Sequence, residues 1–265
     1  DFKKSLNLMK NITTVILAAG RSTRFISNKS KLIHELAGYP IISHVFDSAK
    51  KVSGKNIIVV CNKNNCAELK NILTGCKFVI QRNQKGTADA IEVAKQYIKT
   101  ENFIILFGDV PLITDKSLKK LIRSFKNNNT GSMIAFKTHK PKGYGRVVIN
   151  NNKVTKVVEE INTSANEKII ELCNSGIMLV KKSIFYKNIK LIKFNKNKKE
   201  RYLTDIFEIY FKKNIPFSFV LSSEDEMSGV NNLIDFNKVD SLFQNRLVNK
   251  FLAQGVLIKK PATSY

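Results

Sequence analysis

Four cations lie close together near the amino end of the chain. Arg21, Arg24, Lys29 and Lys31 follow the small-residue turn Ala18-Ala19-Gly20 in VILAAGRSTRFISNKSKLIHELAG, residues 15–38. A small-residue turn frees backbone N–H groups for an anion, and neighbouring cations neutralise it. Arg24 offers a planar fork suited to phosphate oxygens, and Lys31 a compact charge. Neither common nucleotide fingerprint, G-x-x-x-x-G-K-[ST] or G-x-G-x-x-G, is present, so a solvated lysine-rich loop stands as the alternative. Asp109 follows the apolar run FIILF and Gly108. As a carboxylate at a strand end it could hold Mg²⁺, which prefers oxygen ligands and keeps several waters; it could equally cap a turn. Gln81 carries an amide that can donate to and accept from a base edge. Gly86 permits close backbone approach, and Thr87 begins a helix whose N-terminus is electropositive. Asn231 and Asn232 fit the N-cap of the last helix equally well.

Other chemistry-bearing residues are read as structural. His34, His44 and His139 pair with no Ser, Cys or acid at a telling spacing. Cys61, Cys66, Cys76 and Cys173 form no C-x-x-C pair, which points to reduced thiols and a cytoplasmic location rather than zinc or disulfides.

Apolar periodicity supplies the elements that would position these groups. Strands are expected over 13–18, 55–61, 78–80 and 103–107, and helices over 40–51, 64–73, 86–99 and 114–127. This alternation implies an α/β fold, a mostly parallel sheet with helices on both faces. Ligands bind such sheets outside the carboxyl ends of the strands, so Ala18, Gln81 and Asp109 would converge on one edge. After Gly131 the pattern becomes β-rich, with SMIAFKT, GRVVIN and KVTKVVEE strand-like and turns at Lys142-Gly143 and 150–152. Further elements are a strand at 175–180, a helix at 182–188, an amphipathic helix at 202–213, a strand at 217–221 and a long C-terminal helix at 233–252. The main domain is drawn over 1–232, with the helix and tail at 233–265.

The 265 residues suit one large domain or slightly more. The net charge of +24 raises nucleic-acid binding. Only seven of the 45 basic residues are arginines, and the lysines are dispersed among abundant Asn and Ile. The excess is therefore read as composition bias, useful at most for drawing in anionic substrates. No apolar run reaches the roughly 18 residues that span a bilayer, and DFKKSLNLMK has no secretory h-region. No nucleic-acid or membrane partner is expected.

Taken together, LAAGRSTRF, SKLIHELAG, IQRNQKGTADA, FGDVPLI, KGYGRV, VVEE, CNSGIMLV, RYLTDIF and GVNN resemble the ordered motifs of sugar-phosphate nucleotidylyltransferases. They are most similar to the N-terminal domains of bacterial N-acetylglucosamine-1-phosphate uridylyltransferases, over about residues 13–261. The resemblance implies a Rossmann-like nucleotide-diphospho-sugar transferase fold with a smaller β-rich sugar-binding part. It implies an enzyme that makes UDP-N-acetylglucosamine, a cell-wall precursor, and pyrophosphate from UTP and N-acetylglucosamine 1-phosphate. The implied UTP contacts are Ala18, Ala19, Gly20, Lys31, Gln81, Gly86 and Thr87. Arg24 and Lys31 would be catalytic, and Mg²⁺ would sit on Asp109 and Asn231. Gly145, Glu159, Asn174, Thr204 and Asn231 would hold the sugar phosphate, with Glu159 preferred over Glu160 and Asn231 over Asn232 by motif alignment. Ser22 and Ser30 depart from the usual Gly and Pro of the loop, and Phe25 from the usual Met. The alternatives are another sugar 1-phosphate, such as glucose 1-phosphate with UTP or dTTP, or a catalytically retired nucleotide-binding homologue. A left-handed β-helix would begin near Pro261, so acetyltransferase activity and its trimer are not expected of these residues, though self-association is possible.

Overall fold

A computed structural model describes residues 11–20, 25, 30–125, 130–195 and 200–261. Its backbone is a nine-stranded sheet. The strands that build the central path are β1 (Ile12–Leu17), β4 (Ile57–Cys61), β5 (Lys77–Ile80), β6 (Asn102–Phe107), β7 (Gly131–Lys137), β10 (Leu172–Lys181) and β11 (Ser218–Ser222). β2 (Glu35–Leu36) and β3 (Tyr39–Pro40) form a separate small hairpin, and β8 (Arg146–Asn150) and β9 (Lys153–Val158) a lateral one. The path runs β11-β7-β10-β6-β1-β4-β5.

Every residue of β1 and of β4 is buried, as expected of central parallel strands covered on both faces. Alternation along β1 divides the core. Ile12 and Ile16 face a layer made by the helices Ile41–Ser53, Asp115–Phe125 and Leu233–Ala253. Val15 and Leu17 face the layer made by Thr87–Ala94, Lys182–Ile189 and Asp205–Lys212. β1 is parallel to β4 and β6, β4 to β5, and β7 to β11. Along the central path β10 alone runs against its neighbours, β6 and β7, and the lateral β8 and β9 also pair antiparallel. The carboxyl ends of β1, β5 and β6 therefore share an edge, with Ala18, Gln81 and Asp109 just beyond them.

Several elements are shorter than periodicity predicts, for local reasons. The helix expected over 202–213 starts at Asp205, because Arg201–Leu203 is bonded elsewhere: Arg201 N–H donates to Lys85 O (2.8 Å) and Leu203 N–H to Thr87 Oγ1 (3.0 Å). The helix expected over 86–99 ends at Ala94 and tightens into a 3₁₀ turn, Lys95–Tyr97. Lys31, placed in an irregular loop by sequence, opens the 3₁₀ turn Lys31–Ile33, which Ser30 caps by accepting from Leu32 N–H (3.4 Å). The β8–β9 turn has Asn151 and Asn152 at φ 46° and 61°, the left-handed pair that a tight hairpin needs.

The long helix Leu233–Ala253 lies along the first layer. Asn232 caps it, accepting from Asp235 N–H at 2.8 Å. Phe236 meets Phe25 and His34, Phe243 meets His44, and Arg246 Nη1 donates to Leu112 O (2.9 Å). His34 and His44 thus serve in aromatic packing. Among the described residues the cysteines are all free thiols, and no helix is long and apolar enough to cross a membrane.

β10 bends in the middle, where its register shifts between Asn174 and Met178. Asn174 Oδ1 accepts from Gly176 N–H (2.8 Å), and Ser175 Oγ donates to Ile134 O (2.6 Å) and accepts from Ile177 N–H (3.1 Å). Gly176 has φ +78°, and an added Cβ would sit 2.5 Å from the Phe107 ring. Both the dihedral and the space exclude a side chain. Gly176→Ala should lose about 2–3 kcal/mol of folding stability, strain and overpacking combined. Urea unfolding measures this, and an unchanged midpoint would contradict it.

Candidate functional site

A cavity of about 530 Å³ opens at the shared strand edge. Its floor is the turn after β1. Ala18 N–H completes the ladder to Val60 O (2.8 Å). The turn's carbonyls are held by side-chain amides: Asn65 Nδ2 donates to Ala18 O (2.8 Å), Asn62 Nδ2 to Ala19 O (3.2 Å) and Gly20 O (3.4 Å), and Gln84 Nε2 to Ala19 O (2.7 Å). Asn62 and Asn65 are themselves fixed, since Asn62 N–H donates to Asn65 Oδ1 and Asn65 N–H to Asn62 Oδ1, each at 3.0 Å. A turn whose carbonyls are anchored on the protein side offers amide groups to an anion. These three positioning residues escaped the sequence reading. For Asn62 and Asn65 the signal was the asparagine-rich CNKNNC at the end of β4, where Asn side chains bond local backbone.

The cationic and oxygen-bearing groups meet at the cavity wall. Lys31 Nζ lies 2.5 Å from Asp109 Oδ2 and 3.4 Å from Asn231 Oδ1. The Lys31 and Asp109 side chains are only 11% and 21% exposed, so solvent screens their attraction weakly. Backbone pairing fixes the meeting: Val230 N–H donates to Asp109 O at 2.8 Å, and Asn231 N–H to Asp235 Oδ2 at 2.9 Å. Asn232 takes the helix cap, which separates the two neighbouring asparagines by role. The site contains two oxygen donors around a cation, with the lysine ammonium standing where a metal ion could. Among the described residues no group of three or more His, Cys, Asp or Glu forms a metal cluster. An ion here would need water and substrate oxygens to complete its shell, the habit of Mg²⁺ rather than of zinc.

Gln81, Gly86 and Thr87 also line the cavity. Gln81 is 4% exposed, and its Nε2 donates to Asp89 Oδ2 (2.8 Å) and Gly86 O (3.1 Å). Gly86 has φ +104°, and a Cβ there would lie 2.5 Å from the backbone oxygen of Arg201. The close approach expected of this glycine is made by the protein's own chain. Thr87 Oγ1 accepts from Leu203 N–H, so the 200–203 segment clamps the wall, and Glu200 also lines the cavity.

Gly145, Glu159, Asn174 and Thr204 do not line this cavity. They form two hydrogen-bonded pairs. Asn174 N–H donates to Gly145 O (2.8 Å), and Thr204 Oγ1 donates to Glu159 Oε1 (2.7 Å). Glu160 is committed elsewhere: it pairs with the buried Arg146 at 2.8 Å and accepts from Gly143 N–H at 3.1 Å. Glu159 is thus free of cationic partners among these contacts. Burial pushes its carboxyl up from 4.5, the Thr204 hydrogen bond pulls it down, and Glu200 adds to the rise. Asp205 is raised by burial, then by Glu159 and Glu208. Arg24 and Ser22 lie outside the described residues.

Comparison with known proteins bears on the family and the fold. The family model for the MobA-like NTP transferase domain matches residues 14–172. The chain is 36% identical over 258 residues to the bifunctional protein GlmU of Buchnera aphidicola subsp. Schizaphis graminum, covering 96% of this chain and 56% of that protein. It is 34% identical over 263 residues to GlmU of Campylobacter fetus, covering 97% and 59%. The chain therefore spans somewhat more than half the length of these relatives. A structure assigned as a glucose-1-phosphate thymidylyltransferase from Bacillus anthracis, in complex with sucrose, is similar at TM-score 0.71 and 17% identity, covering 96% of this chain and all of that one. CMP:2-keto-3-deoxy-manno-octonic acid synthetase with CTP is similar at TM-score 0.69 and 17% identity, covering 89% and 99%. At that identity these two structures bear on the fold alone.

The raised carboxyl of Glu159 has a measurable consequence. Its folded pKa exceeds its unfolded value, so its stabilising contribution is full below about pH 4.5 and is lost as pH rises through the folded value. At neutral pH the buried charge is a cost. Glu159→Gln should raise Tm by about 2–4 °C at pH 7.5, and the gain should shrink toward pH 4. A gain that grows on acidification would show that the sign is wrong.

Proposed function

The chain belongs to the family of MobA-like NTP transferase domains, and from that premise we propose that it transfers a uridylyl group from UTP to N-acetylglucosamine 1-phosphate. The products are UDP-N-acetylglucosamine and pyrophosphate. The observation that carries this reading is the meeting of Lys31, Asp109 and Asn231 at the wall of a cavity floored by Ala18–Gly20. The choice of UTP and of this sugar is supported by the identity to GlmU proteins and by the sequence motifs.

A phosphate oxygen of the sugar phosphate attacks the α-phosphorus of UTP in line, and pyrophosphate leaves with the P–O bonding pair. The nucleophile is already an anion, so no protein base is required. The barrier comes from bringing two polyanions together, and positioning and charge neutralisation lower it. The amides of Ala19 and Gly20 receive phosphate oxygens, and Gln81 contacts the uracil. Gly86 and Thr87 line the same cavity, while Glu159, Asn174, Gly145 and Thr204 orient the sugar. Lys31, released from Asp109, places its ammonium against the triphosphate; Arg24 is assigned the same task on the resemblance. Asp109 and Asn231 would hold Mg²⁺, which when bound neutralises phosphate charge.

Pyrophosphate release with UTP and N-acetylglucosamine 1-phosphate should require a divalent ion. Asp109→Asn and Lys31→Ala should each lower kcat at least about 100-fold, the loss expected when one transition-state charge contact goes, with Tm near that of wild type. Lys31→Ala should also bind Mn²⁺ more tightly by electron paramagnetic resonance, because the competing ammonium is gone. Turnover at wild-type rates in either variant would reject the assignment. Faster turnover with another sugar 1-phosphate would keep the reaction class and overturn the sugar. Nucleotide binding without turnover on any sugar 1-phosphate would favour a retired homologue.

A further inference from the structure

Gln81 sits at the end of β5, its backbone N–H donating to Cys61 O at 2.8 Å and its side chain 4% exposed. An amide of this kind could face the cavity with either its oxygen or its nitrogen. Here the chemistry of its partners decides. Nε2 lies 2.8 Å from Asp89 Oδ2 and 3.1 Å from Gly86 O. A backbone carbonyl can only accept, and an ionised carboxylate can only accept. Rotating the amide would set its oxygen against two oxygens and leave buried lone pairs facing one another, a costly arrangement in a low-dielectric site. Both N–H bonds of Gln81 are therefore spent inside the protein, and only Oε1 remains for a ligand.

Asp89 is well placed to impose this. It stands in the first turn of the helix Thr87–Ala94, where the positive end of the helix favours a carboxylate. It does not itself line the cavity, whereas Gln81 does. Asp89 can therefore act on a ligand only through Gln81, as a positioning residue.

We infer that Asp89 fixes the polarity of the Gln81 amide so that the site presents a lone acceptor to the nucleobase, and that this selects uracil or thymine over cytosine. Uracil and thymine carry a ring N–H at position 3 that can donate to Oε1. Cytosine carries a bare ring nitrogen there, and two acceptors would meet in a dry wall. Mismatched polarity of this kind discriminates more strongly than a change in shape, because the buried group is left unpaired. The inference rests on the uridylyl-transfer reading above and names the residue that enforces its base choice.

The test measures equilibrium binding of UTP, dTTP and CTP, with Mg²⁺ present, to wild type, Asp89→Leu and the isosteric Asp89→Asn. Wild type should bind UTP and dTTP at least about tenfold more tightly than CTP, the equivalent of one hydrogen bond and its mismatch. In Asp89→Leu only Gly86 O still holds the amide nitrogen, the nearer of its two acceptors being gone, so turning the nitrogen toward cytosine costs less and the UTP-to-CTP ratio should fall about fivefold or more. Asp89→Asn, which still offers one acceptor, should move the same way by less. The ratio separates polarity from mere support of the wall, since lost support weakens both nucleotides equally. A ratio unchanged in both variants overturns the inference and leaves the uridylyl reading standing. Wild type that binds CTP as tightly as UTP overturns both. If Asp89→Leu fails to fold, the Asp89→Asn ratio alone decides.

Discussion

Everything else in the molecule serves one contact, the ammonium of Lys31 held between the oxygens of Asp109 and Asn231. Its partners are 78 and 200 residues from Lys31 along the chain, so the contact exists only if the sheet and the C-terminal segment close correctly. β1 and β6 are adjacent and parallel, which brings the turns after both strands to the same edge. The Val230–Asp109 backbone bond then ties the last fifth of the chain to that edge. Phe236, Phe243 and Arg246 hold the long helix in place behind it. A partly buried ion pair adds little net stability, because desolvation offsets much of the attraction. Its consequence is to gather two oxygens and a cation at one point on the cavity wall.

The two sides of the site differ in polarity. Around the turn after β1 the polar side chains are neutral amides: Gln81 and Gln84 line the cavity, and Asn62 and Asn65 hold the turn's carbonyls from behind, none of them adding net charge. Cationic charge enters at the boundary, through Lys31. Glu159 and Asp205 are acidic instead, both raised by burial. Hydroxyl-rich ligands suit such carboxylates, and a folded protein keeps them at the expense of stability when the site needs them.

Ser30 shows how a departure from the family pattern is absorbed. A proline there would fix the approach to Lys31 through its ring. Ser30 instead caps the 3₁₀ turn through its hydroxyl and holds φ at −57°, close to the value proline would impose. The backbone reaches the same conformation through a hydrogen bond rather than a covalent ring, and Lys31 remains buried.

The alternation of buried β-branched runs with amphipathic segments was legible in the sequence, because strand and helix periods are local properties. So was the convergence of Ala18, Gln81 and Asp109, which follows from parallel strands sharing an edge. The ordered motifs were legible too, and they identified the same family as the matched domain. Other features depended on tertiary contacts. Arg201 N–H pairs with Lys85 O and shortens one helix, and Arg146 pairs with Glu160 rather than with Glu159, which accepts from Thr204. The hold of Asn62 and Asn65 on the turn after β1 and the aim of the Gln81 amide are of the same kind. Sequence alone could say which groups were available; which oxygen or nitrogen each one presents was decided by partners tens of residues away, because a hydrogen bond depends on distance and direction in space and not on separation along the chain.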